Sequence, residues 1–127
     1  MSTQPGPPPP SGHPRIAQPA STPEELRAAL AVIAPDVLPT FDAERAAALQ
    51  QARDQVSAAP MRRFAGQWAV YVAIERYPER AARLHDLEVH AAQTADLDEA
   101  RSIAAEIGRI LDAASVEAGV AREPGAA

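Results

Sequence analysis

At 127 residues, with a formal net charge of -5 and no Cys, the chain has room for a single domain, and its length favours a single core over two. The absence of Cys excludes disulfides, thiolate catalysis and Cys-based zinc sites. No apolar run approaches membrane-spanning length, and no basic stretch followed by an apolar one opens the chain, so the reading is a cytoplasmic protein without membrane contact.

The opening "MSTQPGPPPPSGHPRIAQPAS" carries seven of the thirteen Pro and few side chains able to pack, which predicts an extended, disordered Pro-rich tail over residues 1–21. "TPEELRAALAVIA" then starts a helix. Thr22 is placed to cap, Pro23 takes the first helical position and Glu25 stands three residues after the cap. Leu26, Leu30 and Ile33 share one face, and Pro35 stops the helix. Pro39 and Thr40 lead into a second helix from about Phe41 to Ser57, with Phe41, Ala48, Leu49, Ala52 and Val56 on its buried side.

Pro60 opens a third helix that reaches about Tyr77, where Pro78 ends or kinks it. Residues 60–93 therefore form either one kinked helix or two, and Leu84 and Leu87 point inward from the part after Pro78. In the fifth segment Asp96 and Glu99 have capping-box spacing. Ala100, Ile103, Ile107, Ile110, Leu111 and Ala114 recur there at helical intervals, and Gly119 is a fitting stop. Residues 119–127 read as a second disordered tail.

The one ambiguous stretch is "WAVYVAI", because a short apolar run with β-branched residues suits a buried strand as well as a buried helix. No second strand-like segment exists to pair with it, and its backbone groups would go unsatisfied in a core at about 1 to 3 kcal/mol each. As a helix, it places Met61, Phe64, Ala65, Trp68, Tyr71 and Val72 on one face and Val70, Ile74 and Tyr77 on another. A helix apolar on two sides is central. The predicted fold class is all-α, a compact bundle of four to five helices spanning residues 22–118.

Candidate chemistry is sparse. His85 and His90 lie roughly 140° apart around a helix and cannot share a metal, and no Glu-x-x-His element of the di-iron type occurs. Ser57, Ser102 and Ser115 sit in Ala-rich helical contexts without a nucleophile elbow, and no Gly-rich turn precedes a helix. Glu75 is the one carboxylate on the aromatic face, near Trp68 and Tyr71, where burial would raise its pKa; an enzyme acting through Glu75 and Tyr71 is a third-ranked reading. No catalytic, cofactor-binding or metal residues are assigned, and the chain reads as non-enzymatic.

Charge is distributed unevenly. Residues 60–85 hold five Arg (Arg62, Arg63, Arg76, Arg80 and Arg83) against two Glu, and residues 86–117 hold eight acids against two Arg. The two regions complement each other, within one molecule or between two. A nucleic-acid footprint on the Arg stretch is disfavoured by the overall negative charge and the acidic segment that follows. All twelve basic residues are Arg, and 30 Ala accompany them, a pattern of GC-rich codons that weakens any argument from Arg being chosen over Lys.

"ALAVIAPDVLPTFDAERAAALQQAR" and "FAGQWAVYV" resemble a family of small actinobacterial proteins carrying a domain of unknown function. The likeness covers about residues 22–77, through the Pro-bounded linker at Pro39, the Phe opening the next helix at Phe41 and the Trp of the following helix at Trp68. The resemblance implies a helical architecture and supplies no catalytic residues; neighbouring toxin-like genes in some relatives would imply an antitoxin-like role. Leu, Ile, Val and Phe number only 24, so the core is thin and association with a partner or a second copy would add stability.

The leading expectation is thus a protein-protein interaction module, with an interaction surface drawn from Arg62, Arg63, Arg76, Arg80, Arg83, Val70, Ile74 and Tyr77. The alternative is a DNA-associated transcriptional regulator using the Arg62 to Arg83 region.

Overall fold

The computed structural model describes residues 12–120. Five helices follow in order: α1 (Pro23–Ile33), α2 (Leu38–Gln55), α3 (Ala59–Glu75), α4 (Pro78–Gln93) and α5 (Leu97–Glu117), with one 3₁₀ turn at Pro35–Val37 and no strand among the described residues. At α1 and α5 the punctuation read from the sequence works by side-chain capping. Thr22 accepts a hydrogen bond from the Glu25 amide at 3.2 Å, and Asp96 accepts from the Asp98 and Glu99 amides at 2.9 and 3.4 Å. Glu99 does not close a capping box on Asp96; its carboxylate takes the Thr94 hydroxyl, and Thr94 in turn accepts from the Asp96 amide at 3.2 Å.

Pro39 does not delay α2 to Phe41. The 3₁₀ turn runs directly into a helix beginning at Leu38, with Pro39 inside the first turn, where its missing N–H has no partner to lose. Pro78 separates two helices and does not kink one. Tyr77 before it is extended (φ -109°, ψ 99°) and Pro78 opens α4, the backbone preference that a following proline imposes. Gly119 adopts φ +72° and ends α5: its amide bonds the Val116 carbonyl at 3.1 Å and the Val120 amide bonds Ser115 at 2.9 Å, a Schellman closure.

α3 is the only helix that packs against all four others; α1 and α2 meet each other and α3, and α4 and α5 meet each other and α3. Both apolar stripes expected on α3 are used. Phe64, Ala65, Trp68, Ala69 and Val72 join Leu26, Leu30, Ile33 and Phe41 in the larger core, with Met61 and Tyr71 at its margin. Ala73 and Ile74, with Val70 alongside, pack against Ala114, Leu84 and Leu111 in the smaller one. Phe41, fully buried, stands 5.0 Å from the Phe64 ring and edge-on to Trp68 at 5.2 Å, geometry worth about 0.5–1.5 kcal/mol per pair beyond area burial.

Residues 1–11 and 121–127, which carry part of each expected tail, lie outside the described residues. Residues 12–21 are irregular, as expected, but are bound along α3 and not fully solvated. The Arg15 amide bonds the Arg76 carbonyl at 2.7 Å, the Gln18 side-chain amide donates to Ala69 at 3.0 Å, and the Ser21 hydroxyl donates to Ala65 at 3.4 Å. Arg15 also donates to the carbonyls of Ile33 and Val32 at 2.9 and 3.2 Å, capping α1, and Ile16 packs on the larger core. The strap has no helical ladder of its own, so the Arg15 amide and the side-chain donors of Arg15, Gln18 and Ser21 bond carbonyls at the ends and flanks of neighbouring helices.

Two expected core positions on α2 are instead at the surface. Leu49 is 40% and Val56 91% exposed, because α2 touches its neighbours along a narrow Phe41 and Ala48 stripe and neither α4 nor α5 reaches its outer side. Val56 also adopts the left-handed conformation (φ 49°, ψ 53°) that ends α2, a region costing a β-branched residue about 1–2 kcal/mol. Its exposure returns no burial energy. Val56→Gly is expected to stabilise the protein by about 1 kcal/mol and raise Tm by several degrees, as read by thermal and urea denaturation; a lower Tm would contradict this account of the turn.

Candidate functional site

The eight residues proposed from sequence as one interaction surface do not form one. Ile74 is buried, Val70 is half-buried against the smaller core, and Arg76 and Arg80 are buried at 8% and 7% exposure. The arginines are inside because a carboxylate waits there. Glu117 near the end of α5 receives Arg76 Nη2 at 2.8 Å and both terminal nitrogens of Arg80 at 3.0 and 2.8 Å. Arg76 donates further to the Ile16 carbonyl at 3.3 Å, and Arg80 to the Ala73 carbonyl at 3.0 Å. Both guanidinium groups also lie over the Tyr77 ring, 4.7 and 4.6 Å from its centre.

The node joins the strap, the end of α3, the start of α4 and the end of α5. Burial works against the charge of Glu117, and the hydrogen bonds and charges of Arg80 and Arg76 outweigh it, holding the carboxyl below its ordinary value of 4.5. Arg83 is exposed but forks onto Glu106 of α5 at 2.7 and 2.6 Å. The opposite charges of the two sequence halves therefore meet within one molecule. Of the five arginines between positions 60 and 85, only Arg62 and Arg63 are exposed without an ion-pair partner among the described residues.

Glu75 stands half-buried with no ion-pair partner among the described residues, and burial raises its pKa above 4.5. Burial, and then the charge of Glu75, raise Tyr71 above 10.0, and Tyr71 in turn meets the Trp68 ring edge-on at 5.1 Å. His85 and His90 are exposed on α4, and among the described residues no three His, Cys, Asp or Glu side chains are grouped to hold a metal.

A recess lies between α2 and α3, on the bundle side that α4 and α5 leave open. It encloses about 260 Å³ and is lined by Glu44, Ala47, Ala48 and Gln51 of α2 and by Pro60, Arg63, Phe64 and Gln67 of α3. The helical intervals of those positions put them on facing ridges of two antiparallel helices. The floor is apolar and buried, formed by Ala48, Pro60 and Phe64, and the rim residues Glu44, Gln51, Arg63 and Gln67 are exposed. At one end the Trp68 indole donates to Glu44 at 2.9 Å.

Sequence reasoning placed Arg63 at an interaction surface and missed the rest of the groove. Glu44, Gln51 and Gln67 carry no signal in the sequence, because polar residues at helical spacing describe any solvated face. No family model, curated protein or solved structure matches the chain.

The node and the isolated acid give opposite pH signatures. Glu117, depressed in the fold, stabilises fully above its ordinary pKa of 4.5, and that contribution is lost as pH falls through the lower folded value. Glu117→Gln is expected to cost about 3–5 kcal/mol at neutral pH, since it leaves two buried cations unpaired, and to flatten the acid limb of a Tm-against-pH curve. Glu75, raised in the fold, carries a penalty above its folded pKa that vanishes below 4.5. Glu75→Gln should therefore raise Tm at pH 7 and lose that advantage at pH 4, as followed by thermal melts across the range; a uniform change at both pH values would contradict the assignment.

Proposed function

We propose that the chain is a non-catalytic, cytoplasmic protein-interaction module that docks its partner in the α2–α3 groove. One observation carries this reading: an open recess with a buried apolar floor and a rim where Arg63, Gln51 and Gln67 have side chains without partners among the described residues. Elsewhere in the fold the arginines that cross between helices are paired: Arg27 with Asp42, Arg45 with Glu24, Arg83 with Glu106. Interaction sites combine such an apolar centre with a polar rim, and Arg is enriched there.

The volume supports a docked side chain over a cofactor, since drug-sized ligands occupy about 300–1,000 Å³. The DNA-associated alternative draws less support, because Arg76 and Arg80 are buried and Arg83 is paired, leaving Arg62 and Arg63 as the cations of that stretch without an ion-pair partner among the described residues for phosphate contacts.

Photo-cross-linking in the source cells tests the proposal. With benzoylphenylalanine in place of Gln67 on the groove wall, a discrete protein adduct is expected, and it should disappear when Arg63 is changed to Glu. Position 93, exposed at the far end of α4, serves as control. Equal adducts from positions 67 and 93, or none from position 67, would overturn the reading.

A further inference from the structure

We infer that the occupant of the α2–α3 groove is an extended acidic peptide segment, with an aspartate or glutamate gripped by Arg63 and the adjacent aliphatic side chain seated on Ala48, Pro60 and Phe64. The inference rests on the interaction-module reading and specifies its partner. Its basis is a charge pair that does not close. Glu44 on α2 and Arg63 on α3 line the same groove, yet no ion pair forms between them. Glu44 is instead held by the Trp68 indole. The groove therefore has a negative end fixed in place and a guanidinium that no carboxylate among the described residues neutralises, a field that orients a dipolar ligand.

Each feature of the lining selects against another class of occupant. Arg63 offers the planar fork that matches a carboxylate with two parallel bonds. Gln51 and Gln67, one on each wall, each present amide donors and a carbonyl acceptor, the complement of an extended peptide backbone and of no use to an alkyl chain. Phe64 is only 4% exposed, so it provides a floor for an aliphatic group but no open ring face for stacking a nucleobase. A basic segment would meet Arg63 as a like charge, with only the indole-bonded Glu44 to offset it. An acidic one meets Arg63 with its carboxylate and Glu44 with its backbone N–H groups.

The molecule contains its own reporter, because Trp68 is the only Trp and its indole N–H bonds the groove residue Glu44. Its single indole resonance in an amide-correlation NMR spectrum can be followed while the full chain is titrated to millimolar concentration with capped pentapeptides. One library carries aspartate or glutamate beside an aliphatic residue; the matched library carries lysine in place of the acid. A short oligothymidylate is the third arm. The acidic library should shift the indole and the Arg63 side-chain signals, and Arg63→Ala should weaken binding about tenfold or more, the loss of one charge-assisted pair.

Arg63→Glu should transfer the response to the lysine library, a gain that mere damage to the fold would not produce. A response to lysine peptides or to oligothymidylate equal to that of acidic ones would overturn the inference. So would a silent indole. If the indole is silent while the position-67 adduct persists, the assigned chemistry is wrong and the module stands; loss of both removes the module as well.

Discussion

The fold is closed by one carboxylate. Glu117, at the end of the last helix, fixes Arg76 and Arg80 on either side of the only place where the chain passes from α3 to α4. Taking two guanidinium groups out of water is costly unless each finds charge and hydrogen-bond acceptors in good geometry. Here Glu117 supplies the charge, the Ile16 and Ala73 carbonyls supply further acceptors, and the Tyr77 ring lies against both cations. Such a node tolerates little displacement, so it sets how the strap, α3, α4 and α5 meet. The Tyr77–Pro78 break supplies the turn, and the node fixes its direction.

α3 converts a thin supply of large apolar residues into two cores. Because α1 and α2 cover one of its sides and α4 and α5 another, a single helix contributes the aromatic and aliphatic surface that two would otherwise provide. Small side chains make the arrangement possible: Ala65 and Ala69 face the larger core and Ala73 the smaller one, which lets neighbours approach closely. Trp68, Phe41 and Phe64 meet ring to ring within the larger core. The same economy leaves the outer flank of α2 uncovered, and the groove toward α3 is a direct result.

This division explains why the candidate site was largely hidden in the sequence. Five arginines close together look like a surface, and the chain had opposite charges in its next segment, so complementarity itself was readable. Which arginines would turn inward was not, since Arg76 and Arg80 are buried only because α5 returns antiparallel to α3 and delivers Glu117 to the break. The groove was less readable still. Arg63 stood out as a cation, but Glu44 and Gln67 become neighbours of one recess only when α2 packs against α3.

The chain by itself determined that its elements are helices and roughly where most of them break, because proline, capping side chains and 3.6-residue periodicity act through neighbours a few positions away; it left open whether Pro78 kinks one helix or separates two, and placed the start of α2 at Phe41 where the helix begins at Leu38. It also determined that α3 is central, since a helix apolar on two sides must be covered twice. Tertiary structure alone decided that residues 12–21 lie along α3, that Leu49 and Val56 face outward, and that Arg63 has no ion-pair partner among the described residues while Arg80 is locked to Glu117. The reason is physical. Burial, ion pairing and an open groove depend on which distant segments arrive at the same place, and local pattern carries no record of that.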